Sequence, residues 1–188
     1  MVWATSDAFA ADAAAAIERA LRRPRDRAAT ATEVRDMREL LERERPPKGD
    51  WDLKLSPGGL VDIEFAAQFL QLAHAADGGP LLPNTAEALA AFRHTHLAPG
   101  EPVADLERAW RLQQDLTQLL KVALEDVHDP SEEPKAFRAL MARAGHARSF
   151  GALRDKLRDA QNAARAAHET LIRAAPVTGA TEVDRSAV

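Results

Sequence analysis

Lys54, Gly58, Gly59, Asp62, Glu64 and Gln68 fall close together in the stretch Trp51 to Gln68, the part of the chain richest in side chains able to do chemistry. They offer a cation, a glycine turn with backbone N–H groups, two carboxylates and an amide. Asp62 and Glu64 have the composition of a divalent-metal pair. On a helix, however, two residues apart means roughly 200° of rotation, so the two side chains diverge and cannot share one ion. Glu64 groups instead with Gln68 and Gln71 in a polar stripe, while Asp62 projects toward the Phe65 and Phe69 side and needs a partner there. Two partners present themselves: backbone N–H groups at the helix start, or Lys54 brought back by the turn. Pro57-Gly58 predicts a type II turn, because proline presets the first turn position and glycine accepts a positive φ at the second. The N–H groups of that turn, together with a helix N-terminus, suit a phosphate or another anion, provided that Lys54 or a divalent ion offsets Asp62.

Other chemistries find little support. None of the six histidines stands beside a Ser or Thr in a turn suited to nucleophilic catalysis. His94 and His96 are too close in sequence to ligate from one helix face, where ligands want i and i+4. His128 reads as a cation compensating a helix C-terminus. No phosphate-binding loop and no dinucleotide fingerprint is present. Cysteine is absent, which removes disulfides, thiolate metal sites and thiol nucleophiles, and fits a reducing compartment. No apolar run approaches the roughly 20 residues a bilayer span needs, and the start lacks a signal-peptide pattern. A cytoplasmic protein without membrane partners is expected. A net charge of −4 argues against general nucleic-acid binding.

The elements that must position these groups read as helices. Alanine and leucine abound, tyrosine is absent, aromatics make up 5%, and the 11 prolines cluster at segment ends. The expected fold is all-α, a bundle of about six to seven helices. One helical domain is expected over 1–175, followed by a frayed tail over 176–188. Ser6 or Asp7 caps a first helix with Phe9, Ala13, Ile17 and Leu21 at helical spacing. Thr30 to Glu33 reads as a capping box for a second, with Val34, Met37, Leu40 and Leu41 as its apolar stripe. Trp51 to Leu55 is read as an extended connector. Leu60 to Ala76 is apolar around most of its circumference, which predicts the central helix. A short helix starts at Asn84. A long one runs from about Pro102 to Val127, with Val103, Leu106, Trp110, Leu116, Leu120 and Leu124 packing along the centre. Pro134 begins a brief helix bearing Phe137, Leu140 and Met141, and Ser149 caps a last long one with Phe150, Leu153, Leu157, Leu171 and Ile172.

Taken together, Asp52-Leu53-Lys54, Pro57-Gly58-Gly59, Asp62-Ile63-Glu64-Phe65 and Gln68 closely resemble the segment following the nucleotidyltransferase domain in glutamate-ammonia-ligase adenylyltransferases. Val34 to Arg38, Leu112-Gln113-Gln114, Phe150 and Leu153 fit the same pattern, so the resemblance covers nearly the whole chain. It implies a bifunctional enzyme whose halves attach AMP to glutamine synthetase and remove it, each half pairing a nucleotidyltransferase domain with a helical one. The Asp-Ile-Glu-Phe wording resembles the second half, whose implied activity is AMP transfer from ATP to a tyrosine of glutamine synthetase. Magnesium and ATP are the implied cofactors, and PII signalling proteins and glutamine the implied regulators. In the family a Gly-Ser opening and an Asp-x-Asp pair build the catalytic site, and no glycine here is followed by serine. The catalytic carboxylates are therefore expected upstream of Met1. The chain is then a C-terminal helical domain, inactive alone, with no catalytic residue, metal or tightly held cofactor of its own. Lys54, Gly58, Gly59, Asp62, Glu64 and Gln68 are the residues expected to face the nucleotide or the catalytic domain. Alternatives are a non-catalytic module that binds PII or glutamine, the helical domain of a related PII uridylyltransferase, and a motif that serves only as an inter-helix clamp.

Overall fold

The computed structural model describes residues 6–123 and 129–173. Leu124, Val127 and His128, and the tail expected to fray, lie outside the described residues. Seven α-helices follow one another with no strand among the described residues: α1 Asp7–Leu21, α2 Arg27–Glu44, α3 Leu60–His74, α4 Thr85–Arg93, α5 Gly100–Ala123, α6 Lys135–Ala144 and α7 Phe150–Arg173. The all-α bundle is as the composition implies.

Capping chemistry sets most of the starts. The Ser6 hydroxyl accepts from the Phe9 N–H, and Asn84 accepts from the Glu87 N–H at 3.1 Å. Ser149 accepts from Ala152, opening α7. Each satisfies one of the donors that a helix start leaves free. The start of α2 differs from the expected capping box. Asp26, not Thr30, takes the cap, accepting from Ala28 and Ala29. Thr30 lies inside the helix, where its hydroxyl donates back to the Asp26 carbonyl. Asp is an equally good cap, and it wins because it stands one turn earlier.

The main core joins α3, α4, α5 and α7 through Ile63, Leu70, Phe92, Leu106 and Leu171, with small Ala66, Ala67, Ala109 and Ala164 allowing close approach. The α3 helix is central, as its circumferential apolarity predicts. A second cluster sets Trp51 and Leu53 against Leu116, Met141, Leu153 and Leu157. The Trp51 ring stacks on Phe150, with centroids 5.4 Å apart and planes inclined by 13°.

The first two helices depart from their expected faces. None of α1 is buried, and Phe9 and Ile17 are 61% and 51% exposed. On α2 the buried residues are Ala31 and Arg38, seven apart, while Met37 and Leu40 point outward. Of the apolar stripe read from the sequence, Val34 packs on Ala31, Phe69 and Ile172 and Leu41 is half-buried, so only Met37 and Leu40 leave the packing face. Arginine shares in the docking. Arg22 donates to the carbonyls of Ala75 and Gly79, and Arg27 donates to the Ala73 carbonyl at 2.8 Å while pairing with Asp77. Cations thus meet the free carbonyls at the C-terminal end of α3, where the helix dipole favours them.

Candidate functional site

The connector from Gly49 to Gly59 is wound, not extended. Asp52 N–H donates to the Gly49 carbonyl and Ser56 N–H to the Asp52 carbonyl, each at 3.0 Å. The buried Asp52 carboxylate accepts from the N–H groups of Lys48 and Leu55, and the Ser56 hydroxyl donates to the Gly49 carbonyl. A charged residue inside such a segment acts as a local turn former, which reconciles its polarity with its burial.

The turn itself closes with the Gly59 N–H on the Ser56 carbonyl at 2.7 Å, and Gly58 has φ +73°. Glycine is required at 58 twice over. A Cβ there would meet the Gln161 carbonyl oxygen at 1.8 Å, because α7 runs directly against the turn. Gln113 of α5 donates to the Gly58 carbonyl at 2.9 Å from a fully buried position. The turn is thus gripped by two helices from distant parts of the chain.

Asp62 is the fully buried centre of the site. It occupies the third helical position after the Gly59 N-cap, and its Oδ2 reaches back to the Gly58 N–H at 2.6 Å, a variant of the capping-box geometry. Its charged partners are two arginines. Arg38 Nε of α2 bonds Oδ1, and Arg165 Nη1 of α7 bonds Oδ2 at 3.2 Å. Arg38 also donates to the Leu55 carbonyl at 3.1 Å, and Glu42 pairs with both arginines, at 3.3 and 2.9 Å. Burial alone would raise the Asp62 pKa, but the hydrogen bonds from Arg38 and Gly58 and the Arg38 charge outweigh it and hold the carboxyl below its ordinary value. Arg165 in turn, though partly desolvated, is held more firmly protonated by Asp62 and Glu42.

The backbone N–H reading for Asp62 therefore holds in part, and the Lys54 reading does not. Lys54 is exposed and its charge is not part of the Asp62 cluster. An arginine fork reaches a buried carboxylate from a neighbouring helix better than a lysine from the connector, whose side chain stays in water. The anion reading of the turn also fails on geometry. The Gly58 N–H is taken by Asp62, that of Gly59 by Ser56, that of Leu60 by Leu53 and that of Val61 by Lys54, so the donors needed for a phosphate are already engaged.

Of the six residues expected to face a nucleotide or partner, the structure separates two groups. Gly58, Gly59 and Asp62 are buried and hold the turn. Lys54 and Gln68 are exposed and Glu64 is half-buried. Gln71, on the same face of α3, is engaged within the fold, its side chain accepting from the Leu82 N–H at 2.6 Å. An Asp-x-Asp spelling does occur, at Asp50-Trp51-Asp52. Asp50 is exposed while the Asp52 carboxylate is buried on backbone N–H groups, so the two do not form an ion-binding pair. Among the described residues no group of three or more His, Asp or Glu is placed to hold a metal.

Arg165, Gln113 and His168 complete the buried surroundings, and sequence reasoning gave them no role. The available signal was register. Arg38 stands seven residues from Ala31, and Arg165 three before His168 and seven before Ile172, so each polar residue shares a face with buried neighbours.

The family described as GlnD PII-uridylyltransferase matches residues 29–172, more than half of the chain. The chain belongs to that family. Arg38, Asp62, Gln113 and Arg165 all fall inside the match, whereas α1 precedes it. Among individual relatives, the bifunctional glutamine synthetase adenylyltransferase/adenylyl-removing enzyme of Caulobacter vibrioides is 61% identical over 92% of this chain. Enzymes of the same name from Bradyrhizobium sp. (strain BTAi1) and Brucella suis biovar 1 are 39% and 35% identical over 91% and 88% of it. The resemblance read from the central motif thus extends along almost the whole chain. The alignments cover only 18%, 18% and 17% of those three proteins, so the chain spans under a fifth of their length. No solved structure matches the chain. Among the described residues no helix is long and apolar enough to cross a membrane.

Proposed function

We propose that this chain is the helical domain of a cytoplasmic enzyme that transfers AMP from ATP, with magnesium, to a tyrosine of glutamine synthetase. The observation that carries this reading is the 61% identity, over 92% of the chain, to an enzyme named as a glutamine synthetase adenylyltransferase. In this reading the catalytic carboxylates belong to a nucleotidyltransferase domain elsewhere in the polypeptide, and the chain alone is inactive. The buried Gly58, Gly59 and Asp62 fix the turn, and the exposed Lys54 and Gln68, with half-buried Glu64, face that domain or its nucleotide. Nucleotidyl transfer depends on metal-held phosphates and on positioning, so a helical domain contributes by closing the cleft and presenting a cation to the phosphates.

The test is magnesium-dependent AMP incorporation into glutamine synthetase by the full-length protein. Lys54→Ala is expected to lower it at least about tenfold, the scale of one lost charge-assisted contact, with melting temperature unchanged. Unchanged transfer would remove the nucleotide-facing role. A second reading follows from the family description, which names a PII uridylyltransferase. Uridylyl transfer to PII from UTP, in place of AMP transfer, would favour it. A purely regulatory module is the remaining alternative, and calorimetry with PII and with glutamine addresses it.

A further inference from the structure

The first helix has the pattern of a buried face without the burial. Along α1, Phe9, Ala13, Ala16, Ile17 and Ala20 fall on one side at helical spacing, while Asp7, Asp12, Glu18 and Arg19 occupy the remainder. No residue of α1 is buried, none of the other helices packs along it among the described residues, and Phe9 and Ile17 are each more than half exposed. A helix of 15 residues is marginal in water even when rich in alanine, because helical stability in proteins comes mostly from packing an amphipathic face. The cover that α1 needs is not supplied by the bundle.

Only the C-terminal end of α1 is tied down. Arg22, the residue just past it, donates to the Ala75 and Gly79 carbonyls, and Arg25 donates to the carbonyls of Ala20 and Leu21. The base is anchored beside the end of α3 and the apolar face is left open. Two observations choose its occupant. The family match covers residues 29–172, so α1 is an addition to the helical bundle that the family shares. The alignment to the Caulobacter vibrioides enzyme covers 18% of that protein, so most of a polypeptide of that kind lies outside this chain, tethered to it at high effective concentration. A second copy fits less well, because 15 residues make about two heptads, fewer than the three or four that a self-standing coiled coil uses.

We propose, resting on the reading of the chain as the helical domain of a nucleotidyltransferase, that the Phe9 to Ile17 face of α1 docks on an apolar surface of the nucleotidyltransferase domain in the same polypeptide. Alanine leaves room for a close approach, and Phe9 and Ile17, two turns apart, supply the larger apolar contact. The surface is separate from Lys54 and Gln68, and α1 becomes the strut that sets the spacing of the two domains.

Hydrogen exchange read by mass spectrometry, on the full-length protein and on the 188-residue chain, tests the docking. The α1 amides should exchange almost freely in the chain and at least about 100-fold more slowly in the full-length protein. Two substitutions that favour the helix while spoiling its face separate docking from helix formation. Phe9→Glu places a carboxylate three residues after the Ser6 cap, completing a capping box, and Ile17→Lys exchanges a β-branched residue for a better helix former. Each should remove at least about tenfold of the protection in the full-length protein and leave the melting temperature of the 188-residue chain unchanged. A photoreactive benzoylphenylalanine in place of Phe9 should crosslink within the nucleotidyltransferase domain. Fast α1 exchange in the full-length protein, protection kept by both variants, or crosslinks confined to other segments would overturn the proposal. Dimerisation of the 188-residue chain with α1 protected, read by sedimentation, would overturn it in favour of a second copy. AMP transfer measured on the same full-length sample keeps the two readings apart: transfer with α1 unprotected overturns the docking alone, and a docked α1 without transfer supports the docking and denies the reaction.

Discussion

Asp62 and His168 carry the sharpest consequences at the scale of single residues. Asp62→Asn keeps the shape but takes from Arg38, itself buried, its buried carboxylate and leaves it only the half-buried Glu42 at 3.3 Å. Breaking a buried pair by neutralising one member typically costs about 3–5 kcal/mol, and a loss of that size in denaturant-unfolding free energy is the expected result. Because the folded-state pKa of Asp62 lies below the ordinary 3.8, its contribution is complete above that value and disappears only as pH falls through the depressed one. His168 acts higher on the pH scale. Burial, aided by the charges of Arg165 and Arg38, lowers its pKa below 6.5 against the opposing pull of Asp62. The unfolded chain then takes up a proton first, so stability is full above 6.5 and falls with acidification toward the depressed folded value. His74 is lowered too, mainly by burial, and adds the same trend. His168→Gln should flatten part of this slope in pH-resolved melting curves, and an unaltered slope would deny His168 that part. The importance of Asp62 was legible in the sequence, since a carboxylate on an apolar face demands a partner. The identity of the partner was not. Arg38 and Arg165 stand 24 and 103 residues away, and only the packing of α2 and α7 brings them together.

At the scale of elements, the helices with strong caps and wide apolar faces were readable, and those docked by arginine only in part. Asn84, Ser149 and the continuous apolarity of α3 announce their helices directly. On α2 the hydrophobic stripe was half right, because Val34 and Leu41 share the packing face with Ala31 and Arg38 while Met37 and Leu40 stay in water. Apolar periodicity assumes that burial follows hydrophobicity, and an arginine satisfied by Asp62 and a carbonyl breaks that assumption. The connector was misread as extended because its order comes from side-chain to backbone bonds of Asp52 and Ser56, which have no periodic signature. Two element-level outcomes follow. Gly58→Ala should lose at least about 2 kcal/mol, combining an unfavourable positive φ with a clash against α7 backbone that cannot rotate away. Trp51→Ala should lose about 3–5 kcal/mol by emptying the space beside Phe150 and Met141, as read by chemical denaturation.

For the whole molecule, the bundle of α3, α4, α5 and α7 is the stable body, and α1 contributes no buried residue to it. Removing residues 1–20, while keeping Arg22 and its bonds to the Ala75 and Gly79 carbonyls, should shift the melting temperature by only a few degrees, the equivalent of about 1 kcal/mol or less. A large drop would mean that α1 stabilises the bundle in ways its burial does not suggest. The Asp62 cluster also joins parts of the chain that are far apart in sequence. Its bond to Arg165 spans 103 residues and that from Arg165 to Glu42 spans 123, so both must await the return of α7 across nearly the whole chain. Closing loops of that length costs entropy before the contacts repay it, so these two bonds are expected to form late in folding. Substitution at Arg165 should accordingly speed unfolding and leave the refolding rate almost untouched, making its bonds a latch that governs how long the fold lasts more than how fast it forms, and a matching loss in the refolding rate would deny that.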